Sequence, residues 1–276
     1  MELTYDTFAL VFEQCSTQSL IRCAGVCKLF RSMVSAELRR RYFTVLRWFF
    51  GTRKYDAHEL LQSHRAIISG STALAFLAWT DTWTPSDMDI YVPNSSYGQF
   101  VYDLEHRQLG WFEANLGSGN HSDYHGILTV RRYITPTGER LDVIQSSTAN
   151  AAQPLLHFWT SAVVNILSPF GAVCAFPKTT LDHKALVSGI SRSQKLVAAR
   201  IKYEARGFQF AEVGTWRAAA DSEGVLTLSN EPILVVDFLS VWSANSTRLP
   251  ITRAGSRWVL VPDHTDLISG KKFFVT

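Results

Sequence analysis

The stretch from residue 127 to 145 constrains the fold more than any other part of the chain. It reads ILTVRRYI (127–134), a turn PTGE (136–139) and RLDVIQ (140–145). Two strand-like runs around a Pro- and Gly-containing turn predict a β-hairpin. The alternating run MDIYV (88–92) and the short apolar run AIISG (66–70) predict further strands.

Helical patterns surround these strands, so the chain is predicted to be α+β. Apolar residues at helical spacing indicate two or three short helices in residues 5–43, and the tail from residue 224 alternates as a strand does. Further helices are predicted over residues 73–79, 98–109, 151–166 and 179–206.

Three carboxylates fall on the predicted strands. Asp87 and Asp89 are two residues apart, and side chains at that spacing project from the same face of a strand. Asp142 lies on the second strand of the predicted hairpin. Carboxylates are ligands that Mg²⁺ prefers, and two cations can clamp the attacking and leaving oxygens of a phosphoryl transfer. The three residues are therefore predicted to be metal ligands and catalytic residues.

A phosphate-binding element is predicted beside them. Gly70 and Ser71 end an apolar run and begin a predicted helix, where glycine permits close approach and free amides face an anion. Farther along, Lys195, Lys202 and Arg206 share one helical face by spacings of seven and four. They would neutralise a triphosphate, whereas a solvated helix face is the alternative interpretation.

These motifs occur in the order Gly-Ser, acidic pair, third acid, and in this order the sequence resembles the polymerase-β-like nucleotidyltransferase superfamily. The matching runs are ISGSTALAFL, SDMDIYV and the hairpin ending in LDVIQ, within about residues 60–150. The resemblance implies a mixed sheet flanked by helices, with Asp142 also favouring deprotonation of an acceptor hydroxyl. One departure is the long segment between Ser71 and Asp87, which includes DTWTPS (81–86).

The N-terminal stretch resembles an F-box, a module that binds a Skp1-type adaptor of ubiquitin ligases. The resemblance rests on Leu3, Phe12, Leu20 and the run from Val26 to Arg31. Thr4 stands where an F-box commonly has proline. The whole chain is also similar to fungal proteins that join an F-box-like segment to a nucleotidyltransferase-like domain.

These resemblances predict a helical F-box-like segment (1–45), a nucleotidyltransferase-like core (46–150) and a helical and strand-containing extension (151–276). The implied activity is Mg²⁺-dependent transfer of a nucleoside monophosphate from a nucleoside triphosphate to a hydroxyl, with two Mg²⁺ ions. One alternative is a non-catalytic recognition subunit that binds a Skp1-type adaptor through residues 1–43. Another is a structural remnant whose carboxylates no longer bind metal.

Composition restricts the remaining possibilities. A formal net charge of +3 does not by itself indicate nucleic-acid binding. No apolar run reaches a membrane-spanning length, and no secretory signal pattern opens the sequence, so an intracellular protein, cytoplasmic or nuclear, is predicted. His121, Asp123 and His125 alternate in a polar segment and form a weaker metal-site hypothesis, against which a loop is the simpler interpretation.

Overall fold

The structure is a computed structural model with an α+β architecture, as the sequence predicts. It describes residues 5–112, 126–188, 194–213, 234–238, 251–254 and 257–260. The helices are α1 (Tyr5–Gln14), α2 (Thr17–Ala24), α3 (Lys28–Phe50), α4 (Lys54–Ser63), α5 (Gly70–Leu77), α6 (Tyr97–His106), α7 (Pro177–Thr180) and α8 (Gln194–Glu204).

The strands are β1 (Ile67–Ser69), β2 (Asp87–Val92), β3 (Trp111–Phe112), β4 (Ile127–Ile134), β5 (Arg140–Ser146), β6 (Asn165–Ser168), β7 (Gly171–Cys174), β8 (Lys184–Ser188), β9 (Gln209–Val213), β10 (Leu234–Asp237), β11 (Ile251–Ala254) and β12 (Arg257–Leu260). Among the described residues, eight of them form one mixed sheet in the order β10-β7-β6-β1-β2-β5-β4-β3. The pairs β8–β9 and β11–β12 form two small separate sheets.

The two faces of the main sheet follow the period of two along each strand. Met88 and Ile90 on β2, with Leu141 and Val143 on β5, point into the larger hydrophobic core. The intervening positions face the other side. There, one half of the face is apolar and packs on the segment 151–158, and the other half carries the carboxylates of β2 and β5.

The N-terminal helices share the larger core with the sheet. That core runs from Phe12 on α1 through Tyr42 and Phe49 on α3 to Val92 on β2. Ser35 on α3 donates a 2.5 Å hydrogen bond to the carbonyl oxygen of Phe238, just after β10. The helix α3 also continues past residue 45, the predicted end of the N-terminal segment, and the predicted domain boundaries stay a prediction.

Buried charges connect the N-terminal helices to one another. Arg41 on α3 is fully buried and donates to Glu37 at 2.6 Å. The same guanidinium donates at 2.8 Å to the carbonyl oxygens of Phe12 and Cys15, at the end of α1. Because a guanidinium has several donors in a fixed fork, one side chain fixes the turn between α1 and α2 against α3.

The helix predicted over residues 151–166 is wrong. Residues Gln153–His157 and Ser161–Val163 form short 3₁₀ turns, and β6 begins at Asn165. Pro154 lies in the first turn of the former and removes a backbone donor. The β6 strand then pairs with β1 and β7, so long-range pairing decides its conformation rather than the local apolar pattern.

The continuous helix predicted over residues 179–206 is also wrong. Of the residues in this range that the structure describes, those of the short α7 and the later α8 are helical, and β8 between them pairs in parallel with β9. His183 adopts a positive φ of 55°, which a continuous helix does not accommodate. The predicted strands at 66–70, 88–92 and 127–145, and the helices at 73–79 and 98–109, are confirmed within a few residues.

None of the described helices is both long and apolar enough to cross a membrane.

Candidate functional site

Asp89 and Asp142 occupy neighbouring positions on parallel strands. In the register of β2 with β5 they are direct partners, and in the antiparallel register of β1 with β2, Ser69 is the partner of Asp89. Asp87 lies two residues earlier on β2, on the same face. The structure therefore brings the three predicted carboxylates together at one end of two adjacent strands.

Gly70 lies directly against the carboxylate of Asp89. Its φ is +65°, a conformation that favours glycine, and a Cβ placed on it would fall 2.5 Å from Asp89 Oδ2. Any other residue would have to displace the carboxylate. The glycine that was predicted from a phosphate-binding pattern is thus required for the approach of α5 to the acidic pair.

The next two residues of α5 contact Asp87. Ser71 Oγ lies 3.4 Å from Asp87 Oδ1, and Thr72 Oγ1 donates a 2.8 Å hydrogen bond to the Asp87 carbonyl oxygen. Ser69, which precedes the helix, makes no side-chain cap and instead donates to the carbonyl oxygen of Asn165 at 2.6 Å. The first turn of α5 therefore lies directly against β2, where its positive dipole end favours negative charge.

Two arginines on the hairpin hold the carboxylates. Arg132 on β4 is the register partner of Asp142 and donates to both of its oxygens, at 2.8 and 3.3 Å. Arg140 is the register partner of Asp87 and donates through Nη2 to Asp87 Oδ2. Its Nε also lies 3.8 Å from Asp142 Oδ2, so one guanidinium bridges two of the three carboxylates.

The helix α8 contributes a further cation. Lys202 Nζ lies 3.6 Å from Asp87 Oδ1, as expected for a residue predicted to face the site. Lys195 was predicted to share this face, and its side chain lies outside the described residues. Arg206, just beyond the helix end, stacks over the ring of Trp83 with its guanidinium carbon 4.0 Å from the ring centroid.

The segment between α5 and β2 is anchored to the same part of the chain. Asp81 accepts hydrogen bonds from Trp83 Nε1 at 3.0 Å and from His183 Nε2 at 2.9 Å. Tyr203 on α8 is buried with Leu74 of α5, and Trp83 packs against this cluster. The long segment that departs from the superfamily spacing therefore contacts α8 and the turn before β8.

Charge crowding changes the ionisation of the site. Burial, followed by repulsion from Asp87 and Asp142, raises the pKa of Asp89 to about 7, against the opposing effect of Arg140 and Lys202. Burial lowers the pKa of Arg206, and burial raises the pKa of the Tyr203 hydroxyl. Ionising Asp89 therefore costs free energy, and a bound cation would reduce that cost.

The oxygen atoms of the site are of the kind that a hard divalent cation binds, but they are not arranged as a set of metal ligands in this structure. Three carboxylates and a serine hydroxyl offer oxygen ligands, and Gly70 lies close against Asp89 Oδ2. However, within the described part of the chain no three His, Cys, Asp or Glu side chains form a ready set of metal ligands. Asp87 and Asp142 are instead oriented toward Arg140 and Arg132.

Sequence reasoning missed both arginines. Arg140 lies two residues before Asp142, the same spacing that drew attention to Asp87 and Asp89, so it shares the face of Asp142. Arg132 follows from the predicted hairpin, because its pairing with Asp142 depends on the turn. Thr72 was missed too, since its hydroxyl contacts a backbone carbonyl that the sequence does not reveal.

The other predicted site residues fall elsewhere. His121, Asp123 and His125 lie outside the described residues. Tyr91, on the same face of β2 as Asp87 and Asp89, is 5% exposed and packs in the apolar half of that face.

Comparisons with protein-family models, with curated proteins and with solved structures gave no significant match to this chain.

Proposed function

We propose that the chain is a nucleotidyltransferase-fold enzyme that transfers a nucleoside monophosphate from a nucleoside triphosphate to a hydroxyl acceptor, with Mg²⁺ as cofactor. The observation that carries the proposal is the register pairing of Asp89 with Asp142, with Gly70 against Asp89. Carboxylates that lie this close together are harder to ionise, because their charges repel. Binding of a cation would explain why the fold nevertheless brings them together.

In this proposal Asp87, Asp89 and Asp142 hold the metal. When bound, the ions would stabilise charge on the attacking and leaving oxygens of the transferred phosphoryl group. Ser71 and the first amides of α5 bind the terminal phosphates, because an α-helix N-terminus favours anions. Lys202 adds positive charge 3.6 Å from Asp87, and Arg132 fixes the orientation of Asp142 toward the acceptor hydroxyl.

The test compares metal and nucleotide binding in the intact chain. Isothermal titration with Mn²⁺, and with ATP, CTP, GTP and UTP in the presence of Mg²⁺, should show binding to the wild type. Binding should weaken at least about tenfold in Asp87→Asn/Asp89→Asn, because two ligands are lost. Asp56→Asn is the control, since Asp56 lies on α4 and pairs with Arg53, in the turn that precedes that helix. Equal binding by wild type and the double variant would rule out this site.

A second function is proposed from a separate observation: adaptor binding by the N-terminal helices in a ubiquitin-ligase subunit. Val26 and Leu29, at the corner between α2 and α3, are 69% and 53% exposed. Arg22, Lys28 and Arg31 lie close to them in the sequence and are also exposed. Large apolar side chains exposed together in this way are typical of interaction sites.

Removing residues 1–43 would strip the larger core, so point substitutions test this second function better. Val26→Glu/Leu29→Glu should abolish capture of a purified Skp1-type adaptor while leaving thermal unfolding unchanged. Tyr102→Glu is the control, because Tyr102 is 59% exposed on α6. Undiminished capture by the double variant would refute adaptor binding through this corner.

A further inference from the structure

Arg140 occupies the position between two of the carboxylates that a divalent cation would also use. Its Nη2 donates to Asp87 Oδ2, and its Nε lies 3.8 Å from Asp142 Oδ2. The positions are fixed by the sheet, because Arg140 is the register partner of Asp87 and lies two residues before Asp142. The bridge is therefore a product of the strand register, not of a mobile loop.

Positively charged side chains balance the charge of the three carboxylates without a metal ion. Arg132 holds both oxygens of Asp142, and Lys202 lies 3.6 Å from the other oxygen of Asp87. With Arg140, three protein cations thus face three carboxylates. Asp89 has no ion pair among the described residues, and Gly70 lies beside it. A divalent ion that bound Asp89 together with Asp87 or Asp142 would have to replace the contacts that Arg140 makes with those two carboxylates.

We infer that Arg140 is an internal cation that competes with the divalent metal, so that metal binds only when the guanidinium leaves Asp87. This inference rests on the proposed function, since it takes the three carboxylates as the metal ligands. Arg132 keeps Asp142 in place when Arg140 moves, because its two hydrogen bonds come from a different strand. Arg140 is thus a residue that sets metal affinity, and it is not a metal ligand.

The size of the effect follows from the population of the open state. When only a fraction of molecules is competent, the apparent dissociation constant rises by the inverse of that fraction. The Arg140 side chain is 43% exposed and that of Asp87 is 16% exposed, which places the pair between a surface and a buried ion pair. A pair of this kind holds the site closed in roughly four of five molecules or more. Its removal should tighten metal binding by about fivefold to tenfold.

The experiment measures Mn²⁺ binding to the intact protein by titration calorimetry and by the electron paramagnetic resonance signal of free Mn²⁺. Arg140→Gln should bind Mn²⁺ about fivefold to tenfold more tightly than wild type. Arg140→Lys retains the charge and should stay near the wild-type affinity. Arg200→Gln is the matched control, since Arg200 is also 43% exposed and pairs with Glu204 on α8, and it should leave the affinity unchanged.

The outcomes separate this inference from the proposed function. Mn²⁺ binding that is lost in Asp87→Asn but is not tightened in Arg140→Gln would overturn the inference and keep the metal site. Absence of binding in wild type and in Arg140→Gln would overturn both. Equal tightening in Arg200→Gln would show a general charge effect and overturn the role of Arg140.

A measurement on the wild type guards against misfolding of the variant. In the ¹⁵N spectrum of the arginine Nε–H groups, the Arg140 signal, assigned by its loss in Arg140→Lys, should shift as Mg²⁺ is added. Saturation with Mg²⁺ without any change of that signal would contradict displacement of the guanidinium.

Discussion

Asp89 and Asp142 are direct partners in the parallel register of β2 and β5, and Gly70 lies directly against Oδ2 of Asp89. The strand pairing and the helix α5 together hold the carboxylates close to one another, although their negative charges repel. Such an arrangement costs stability in the absence of a cation.

Gly70→Ala should destabilise the protein by roughly 3 kcal/mol, because the new Cβ adds a clash with Asp89 to an unfavourable positive φ. Chemical denaturation gives the free energy of unfolding. Two glycines serve as controls. Gly138→Ala also has positive φ but meets no atom within 4 Å, so it should cost about 1 kcal/mol. Gly98→Ala, in α6 with no clash, should be neutral or slightly stabilising. Equal losses at Gly70 and Gly138 would mean that the contact with Asp89 contributes nothing.

Asp89→Asn should remove a pH dependence of stability. In the folded protein the pKa of Asp89 is raised to about 7 from its ordinary value of 3.8. The folded state therefore binds the proton more tightly than the unfolded state. The stabilisation from this proton is complete below pH 3.8 and is lost as pH rises through about 7.

Metal-free wild type should therefore lose free energy of unfolding between pH 4 and 8, and Asp89→Asn should lose less. At pH 8 the variant should be more stable than wild type by roughly 1–2 kcal/mol, because it lacks the ionised carboxylate. Urea denaturation at several pH values measures both. Parallel pH profiles for the two proteins would contradict the raised pKa.

Arg41→Met should destabilise the protein by roughly 3 kcal/mol, because it leaves the carbonyl oxygens of Phe12 and Cys15 without their donor and weakens the pairing of Glu37. Thermal and chemical denaturation measure the loss. Arg40→Met is the control: Arg40 also pairs with Glu37 but is 45% exposed, so its loss should cost less than about 1 kcal/mol. If the two variants lost the same stability, the buried bonds of Arg41 would not stabilise the fold.

Lys202→Gln should weaken binding of a nucleoside triphosphate about tenfold while changing the free energy of unfolding little, because Lys202 is half-exposed and contacts Asp87 at 3.6 Å. Titration with an NTP in Mg²⁺ measures the affinity. Lys178→Gln on α7 is a charge-matched control that should bind as wild type does. Unchanged affinity in Lys202→Gln would remove α8 from the proposed nucleotide site.

The sequence predicted the acidic end of the sheet well because that part depends on local rules. A period of two places Asp87 and Asp89 on one face, and the turn at 136–139 fixes the hairpin that carries Asp142. The same rules place Arg140 and Arg132 beside Asp142, but a prediction built on carboxylates and phosphate-binding groups does not include their counter-charges. That omission came from the chemistry that was assumed, not from the fold.

The second half of the chain was predicted poorly because its conformation depends on distant partners. The helix predicted over residues 151–166 runs into β6, which pairs with β1 and β7, and β8 pairs with β9 across α8. Such long-range pairings outweigh local propensity, and the sequence pattern of a short segment does not reveal them. The contacts of Trp83 with Arg206 and of Asp81 with His183 were invisible for the same reason.

The long helix α3 has a mechanical consequence for anything that binds near its start. It is one continuous rod of 23 residues, roughly 35 Å long at 1.5 Å per residue, with its second half embedded in the core beneath the sheet. A partner held at the exposed corner by Val26 and Leu29 would therefore have little freedom to swing. The stiffness of the helix would then fix the distance and the direction from that partner to the carboxylates of the sheet.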